Sequence, residues 1–218
     1  MKLRNKNLKI LKSNHVYSEE MEHDACGVGL VASTEGLKSR KVVEYGIDAL
    51  KAVWHRGAID ADGKTGDGAG IHIEIPKDFF EEKIEVTGHK HDNSELCVGM
   101  IFLPRNDYSA QEQCRTIVES ELTKRNFSIY GWRQVPVDPS VLGEKAEQTR
   151  PEITQVLFTY NDKKVVNKSL EQKLYETRRV IEKEALNNQL NNFYICSFSS
   201  KSIIYKGMFL AEALSDFY

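Results

Sequence analysis

The sequence predicts an α+β fold, a layered sandwich with helices packed on a mixed or antiparallel sheet. Three observations predict it. Helix-spaced and strand-spaced apolar patterns alternate along the chain, which excludes an all-α or all-β architecture. Many strand-to-strand links are too short for a helical crossover, which argues against a doubly wound parallel sheet. The 218 residues, 40% hydrophobic, are enough for a sizeable core, since domains of about 150 residues bury roughly 70% of their unfolded surface.

The elements follow in order. Cys26 to Ala32 reads as a short strand that opens on glycines. From Ser39 to Trp54, apolar residues recur at Val42, Ile47, Leu50 and Val53, a helix with Ser39 as its N-cap. Arg56 to Gly70 holds five glycines and three aspartates and reads as a loop. Ile71 to Ile75 alternates strictly and stops at Pro76, the pattern of a half-buried strand. Glu95 to Leu103 is apolar on both faces and so reads as a central strand. Ala110, Cys114, Val118 and Leu122 mark a helix, followed by a strand from Phe127 to Val137. Pro136 to Thr149 reads as a long loop with a short helix. Ile153 to Tyr160 is a further strand. Leu170, Leu174, Thr177, Ile181 and Ala185 form one face of a long charged helix. Phe193–Cys196 and Ile203–Tyr205 read as a hairpin, with a helix beginning near Gly207.

Composition excludes several classes of function. Thirty Lys and Arg against thirty-two Asp and Glu give a net charge of −2, so no global field draws in nucleic acid or anionic lipid. The longest apolar run, Cys97 to Leu103, is far shorter than the roughly 18 residues of a membrane helix. Cys26, Cys97, Cys114 and Cys196 are scattered without a CxxC pair, which suggests neither a disulfide framework nor a structural zinc site. The expectation is a soluble cytoplasmic protein with no nucleic-acid or membrane partner. Residues 1–12 carry five cations and no acid. The apolar stretch of a signal peptide is absent, and no aromatic residue lies among the charges to stack on bases, so this segment reads as a poorly ordered leader.

Each candidate site has a structural alternative. Gly57 to Thr65 suggests a phosphate loop, but Ala58 stands where the first glycine is required, and Asp60, Asp62 and Asp67 would repel a triphosphate. The same aspartates lack the third ligand and closing glutamate of a calcium loop. They read instead as residues that cap and hydrogen-bond turns. His89 and His91 lie in a polar loop, and a metal held by His23 and Cys26 would consume the one cysteine with reactive surroundings. Cys97, Cys114 and Cys196 read as small core residues. Cys26 differs because it follows a charged leader and is flanked by Gly27 and Gly29. Removal of the leader after Ala25 would free an α-amino group, of pKa about 7.7–8.0, to act as base for the thiol. On these grounds Cys26 is either a nucleophile or a buried structural cysteine.

Three motifs bring in a resemblance. His23-Asp-Ala-Cys26-Gly-Val-Gly29, His55-Arg-Gly-Ala58 and Ala61-Asp-Gly-Lys-Thr-Gly-Asp-Gly-Ala-Gly70 resemble the start of the glutamate synthase large subunit, and Tyr205-Lys-Gly-Met208 matches the same family. The resemblance runs from about Glu19 to Tyr218. It implies an incomplete four-layer αββα sandwich of the Ntn type, with residues 1–25 as propeptide and 26–218 as the N-terminal part of a class II glutamine amidotransferase domain. It also implies that Cys26 hydrolyses glutamine to glutamate and ammonia. An FMN-binding synthase domain of the same polypeptide, carrying an iron–sulfur cluster, would then use the ammonia with 2-oxoglutarate, with a small reductase subunit as a further partner. No cofactor is expected in this segment. The family completes its site with an Asn-Gly pair and an Arg-Phe-Ser-Thr segment. This sequence has neither, so the chain reads as a piece of a larger polypeptide and is expected to be inactive alone. Arg56 reads as structural. The alternatives are another Ntn amidohydrolase and a non-catalytic interaction module.

Overall fold

A computed structural model describes residues 6, 9–10, 13, 27–53, 59–90, 94–162, 164–165 and 168–218. Cys26, His23, His91 and the His55–Ala58 motif lie outside the described residues. The fold is α+β, built on antiparallel sheets. In chain order its elements are α1 (Arg40–Ala52), β1 (Ala69–Glu74), α2 (Lys77–Val86), β2 (Leu96–Leu103), α3 (Tyr108–Lys124) and β3 (Phe127–Gln134). They continue with a 3-10 turn (Pro139–Val141), α4 (Glu144–Thr149), β4 (Glu152–Tyr160) and α5 (Lys168–Asn187). Last come β5 (Tyr194–Ser199), β6 (Ser202–Gly207), a second 3-10 turn (Ala211–Ala213) and α6 (Leu214–Phe217).

Local chemistry sets the helix starts. The Ser39 side chain accepts from Lys41 N at 3.1 Å, and Asp107 accepts from Ala110 N at 2.9 Å, each satisfying an amide that the helix cannot. The five residues that α5 buries are Leu170, Leu174, Thr177, Ile181 and Ala185, the face expected from their spacing. That face and α3 cover one side of a sheet ordered β3-β4-β2-β5. Successive β2 residues point to opposite faces. Cys97, Ile101 and Leu103 therefore meet Cys114, Val118, Leu174 and Ile181 in the helical layer. Leu96, Val98 and Met100 face a second core with Ile75, Phe80, Leu157, Ile203 and Phe209. Burying a side chain of this size contributes about 1.5–3 kcal/mol. A two-stranded antiparallel ribbon, β1 with β6, lies over this second core. Helix α1 rests against the ribbon, with Ile71 Cδ1 3.3 Å from where a Cβ on Gly46 would stand.

Three expectations are corrected. Residues 27–33 form no strand; Val28 and Leu30 are each 93% exposed, because no strand among the described residues pairs with this segment. The expected hairpin is a handover between sheets: β5 pairs with β2, while β6 pairs with β1. A corner at residues 199–202 makes the switch. There Glu171 of α5 accepts from Ser200 N at 2.8 Å and from the Ser199 and Ser200 hydroxyls at 2.9 and 2.7 Å. The last helical segment starts at Ala211 rather than Gly207, which stays in the ribbon. Helix α2, unforeseen in the sequence, buries only Phe80 and Ile84.

Cys97, Cys114 and Cys196 are all buried. Burial pushes the Cys114 and Cys196 thiols up to about 11 and Cys97 higher still. On the folded protein at neutral pH these three are expected to resist a thiol reagent for at least ten times longer than in urea, as counted by peptide mass mapping. Labelling of any of them at its denatured rate would refute the packing described here.

Candidate active site

Two segments distant in sequence meet at one end of the ribbon. The register pairs Ala69 with Gly207, Gly70 with Lys206 and Ile71 with Tyr205, so the glycine-rich run and the Tyr205–Met208 motif lie side by side. Glycine is required where they meet. A Cβ on Gly70 would stand 2.7 Å from Lys206 Cβ and 2.8 Å from Tyr205 O. A Cβ on Gly207 would stand 2.3 Å from the ring edge of Phe209.

The loop before β1 is closed on itself. Ile59 bridges Gly66, and Asp60 N donates to Thr65 O at 2.8 Å. Asp62 Oδ1 accepts from Lys64 N at 2.9 Å and Thr65 N at 2.7 Å, and its Oδ2 accepts from the Thr65 hydroxyl at 2.5 Å. These bonds, the Thr65 hydroxyl first, pull the Asp62 carboxyl down to about 2. Asp60 Oδ2 takes Lys145 Nζ of α4 at 2.6 Å, and this bond lowers its pKa as well. Asp62 therefore caps the turn, as its spacing suggested, and Asp60 ties the loop to α4. Among the described residues, no three His, Cys, Asp or Glu side chains come together to hold a metal.

Because the folded-state pKa of Asp62 lies below the ordinary value near 3.9, its contribution to stability is present above about pH 4 and lost as pH falls toward 2. Between those limits the stability of the folded protein should fall more steeply than that of Asp62→Ala, measured as urea midpoint against pH. Parallel curves would show that the carboxylate is not held.

A cleft of about 1060 Å³ opens beside the two motifs, lined by Asp67, Gly68 and Ala69 of one and by Lys206, Gly207 and Met208 of the other. Lys206 Nζ donates to the Tyr194 hydroxyl at 2.7 Å and sits 4.4 Å from that ring's centre. Arg150 and Arg105, which also line the cleft, both bond Glu147 of α4, whose carboxylate accepts from Arg150 Nε at 2.7 Å and Arg105 Nη1 at 2.5 Å, and these cations hold its carboxyl below the usual range. No local sequence pattern singles out Glu147 or Glu171, and the fully buried Gln155 joins them as a residue whose place the fold reveals. For Gln155 a signal existed, a lone amide within the apolar run Ile153–Phe158.

The chain belongs to the class-II glutamine amidotransferases, whose family model matches residues 26–218. It is 55% identical over 212 residues to the glutamate synthase [NADPH] large chain of Azospirillum brasilense, covering 97% of this chain and 14% of that protein. It is 36% identical over 214 residues to the ferredoxin-dependent glutamate synthase of Pyropia yezoensis, covering 96% and 14%. It is 37% identical over 213 residues to the chloroplastic ferredoxin-dependent glutamate synthase 2 of Arabidopsis thaliana, covering 95% and 13%. The chain thus spans about one-seventh of the length of these relatives. No described helix is long and apolar enough to cross a membrane.

Proposed function

We propose that this chain is the glutaminase portion of a glutamate synthase, with Cys26 as its nucleophile. The observation that carries the reading is the family match, which starts at Cys26. The joining of the two glycine motifs at the cleft supports it. So does the burial of Cys97, Cys114 and Cys196, which keeps each of them protonated and out of reach.

The chemistry runs in two halves. With residues 1–25 removed, the neutral α-amino group of Cys26 takes the thiol proton, and sulfur attacks the side-chain carbonyl carbon of glutamine. The ammonium so formed returns the proton to the departing nitrogen, the C–N bond breaks, and ammonia leaves a glutamyl thioester. Water then attacks the thioester with the amine as base, the C–S bond breaks, and glutamate departs as the thiol is restored. An N-terminal amine with a pKa near the working pH suits both proton transfers.

In the full-length enzyme, ammonia is consumed with 2-oxoglutarate in an FMN and iron–sulfur domain. The described residues do not fit that cluster: Cys97, Cys114 and Cys196 are each buried on a different element, β2, α3 and β5, and no three His, Cys, Asp or Glu side chains among the described residues come together to hold a metal. No step of the glutaminase reaction passes through it.

A glutamine-shaped chloroketone tests the assignment. Incubation with the full-length enzyme should place one label on Cys26 and stop glutamine-driven but not ammonia-driven synthesis. Peptide and intact-mass analysis of the same sample should show the mature chain beginning at Cys26. A label on another cysteine, or an active enzyme still beginning at Met1, would overturn the assignment.

A further inference from the structure

Helix α4 has little apolar packing to hold it. Of its six residues only Ala146 is buried, and a helix this short is far below the roughly 12 residues at which one becomes even marginally stable in water. Among the described residues, no backbone hydrogen bond joins residues 143–150 to a strand or to another helix. Polar ties hold the segment instead, at both ends. At the first end Asp60 Oδ2 accepts from Lys145 Nζ at 2.6 Å, and Asp62 accepts from Glu144 N, the first amide of the helix. Gly143 lets that carboxylate approach, since a Cβ there would stand 2.2 Å from Asp62 Oδ2. At the second end Glu147 accepts from Arg105 Nη1, just beyond β2, at 2.5 Å. The bonds from Thr149 Oγ1 to Lys145 O and from Arg150 Nε to Glu147 stay within the segment and travel with it. Before it, Val137, Val141 and Leu142 are half-buried in the second core, and after it Glu152 enters β4. Residues 143–150 thus lie between two fixed points, and Leu142, Ala146, Gln148, Thr149 and Arg150 form part of the cleft lining.

We propose that residues 143–150 form a latched flap: a wall of the cleft that swings out as a unit while the four-stranded sheet stays folded, held shut by Asp60 and Asp62 at one end and by Arg105 at the other. Segments with few buried apolar contacts open locally at much lower cost than the sheets they lean on, and moving parts beside clefts are drawn from them. Both latches use charged groups within reach of solvent, with the Lys145 side chain 69% and that of Glu147 38% exposed, so water can replace each broken bond. Arg105 and Arg150 line the cleft while Glu147 does not, so the second latch is made and broken at the cleft's own edge. With the flap out, the cleft is widened from this side. The motion does not depend on what the cleft binds, and it stands apart from the glutaminase reading.

Hydrogen exchange on the full-length enzyme, read amide by amide with mass spectrometry, tests the flap. The helix-bonded amides of residues 147–150 are expected to exchange about 100-fold faster than the ladder amides of β2 and β4. Asp62→Ala should speed them about 10-fold more and Arg105→Met about 5-fold, as expected for partly exposed hydrogen bonds to charged groups. In the same samples β2, β4 and α5 should change by less than about 2-fold. Each variant should act on all of these amides alike, and the double variant should give about 50-fold, because one opening breaks both ties. Arg105→Lys keeps the ion pair and should lie within about 2-fold of the unmutated enzyme. Exchange of residues 147–150 in step with β4, an effect confined to one end of α4, or equal acceleration in the sheet would each overturn the flap. Failure of the chloroketone to label Cys26 would instead overturn the glutaminase assignment and leave these rates as they are.

Discussion

Cys26→Ser in the full-length enzyme is expected to lower glutamine-driven turnover by about 10³ or more, while synthesis driven by free ammonia continues at the unmutated rate. The hydroxyl is a far weaker acid than the thiol, so in a site that holds a cysteine the α-amine of pKa about 7.7–8.0 removes its proton much less readily and the oxygen is the poorer nucleophile. The matched control is Cys114→Ala. Cys114 is buried on the inner face of α3 with its thiol pushed up to about 11, so its removal should leave turnover per folded molecule nearly intact. Steady-state assays with each nitrogen source decide the matter. Equal loss in both variants would remove Cys26 from the mechanism.

The second large effect is structural. Gly207→Ala places a Cβ 2.3 Å from Phe209 Cε1 and 2.8 Å from Cδ1. Phe209 is 1% exposed and packed against the Phe217 ring with centres 5.2 Å apart, so it has no room to turn away. The expected cost is about 3 kcal/mol, the upper end of what overpacking usually costs, read as a fall in urea midpoint without a change in slope. Gly29→Ala, which meets nothing within 4 Å, should lie within about 0.5 kcal/mol of the parent. Adding Phe209→Leu to Gly207→Ala should recover part of the loss by freeing the space. A stable Gly207→Ala would mean that the ribbon does not approach Phe209 this closely.

Elements that bury one regular face were legible in the sequence. The spacing of Leu170 through Ala185 named all five buried positions of α5, and the two-sided apolar run of β2 placed it inside the sheet between β4 and β5. Helix α2 was not legible, because Phe80 and Ile84 alone are too short a repeat to stand out from ten mostly polar residues. The handover between β5 and β6 was illegible for a different reason. A hairpin and a corner share the same local pattern, and only a third element, here Glu171 on α5, decides between them. The strand expected at residues 26–32 depends on a pairing neighbour, which no local pattern supplies. At the site, motif resemblance pointed to Cys26 and to both glycine segments. That Gly70 and Lys206 are cross-strand neighbours is a long-range fact, invisible to any window of sequence.

That pairing has a consequence for how the chain is made. The four-stranded sheet draws its strands from residues 96–199, all complete before β6 leaves the ribosome. Synthesis proceeds N-terminal first, and loop closure makes distant pairings late events. Ala69 through Glu74 must therefore wait, unpaired, until Ser202 through Gly207 emerge. For that interval Ile71 and Ile73 form an apolar strand with both edges open, the state most exposed to wrong partners. Glu74 and His72 on the same strand, both exposed in the finished fold, put polar side chains along it while it waits. The arrival of β6 thus completes the glycine junction, so a nascent chain whose four-stranded sheet has assembled still lacks that junction until Ser202 through Gly207 emerge.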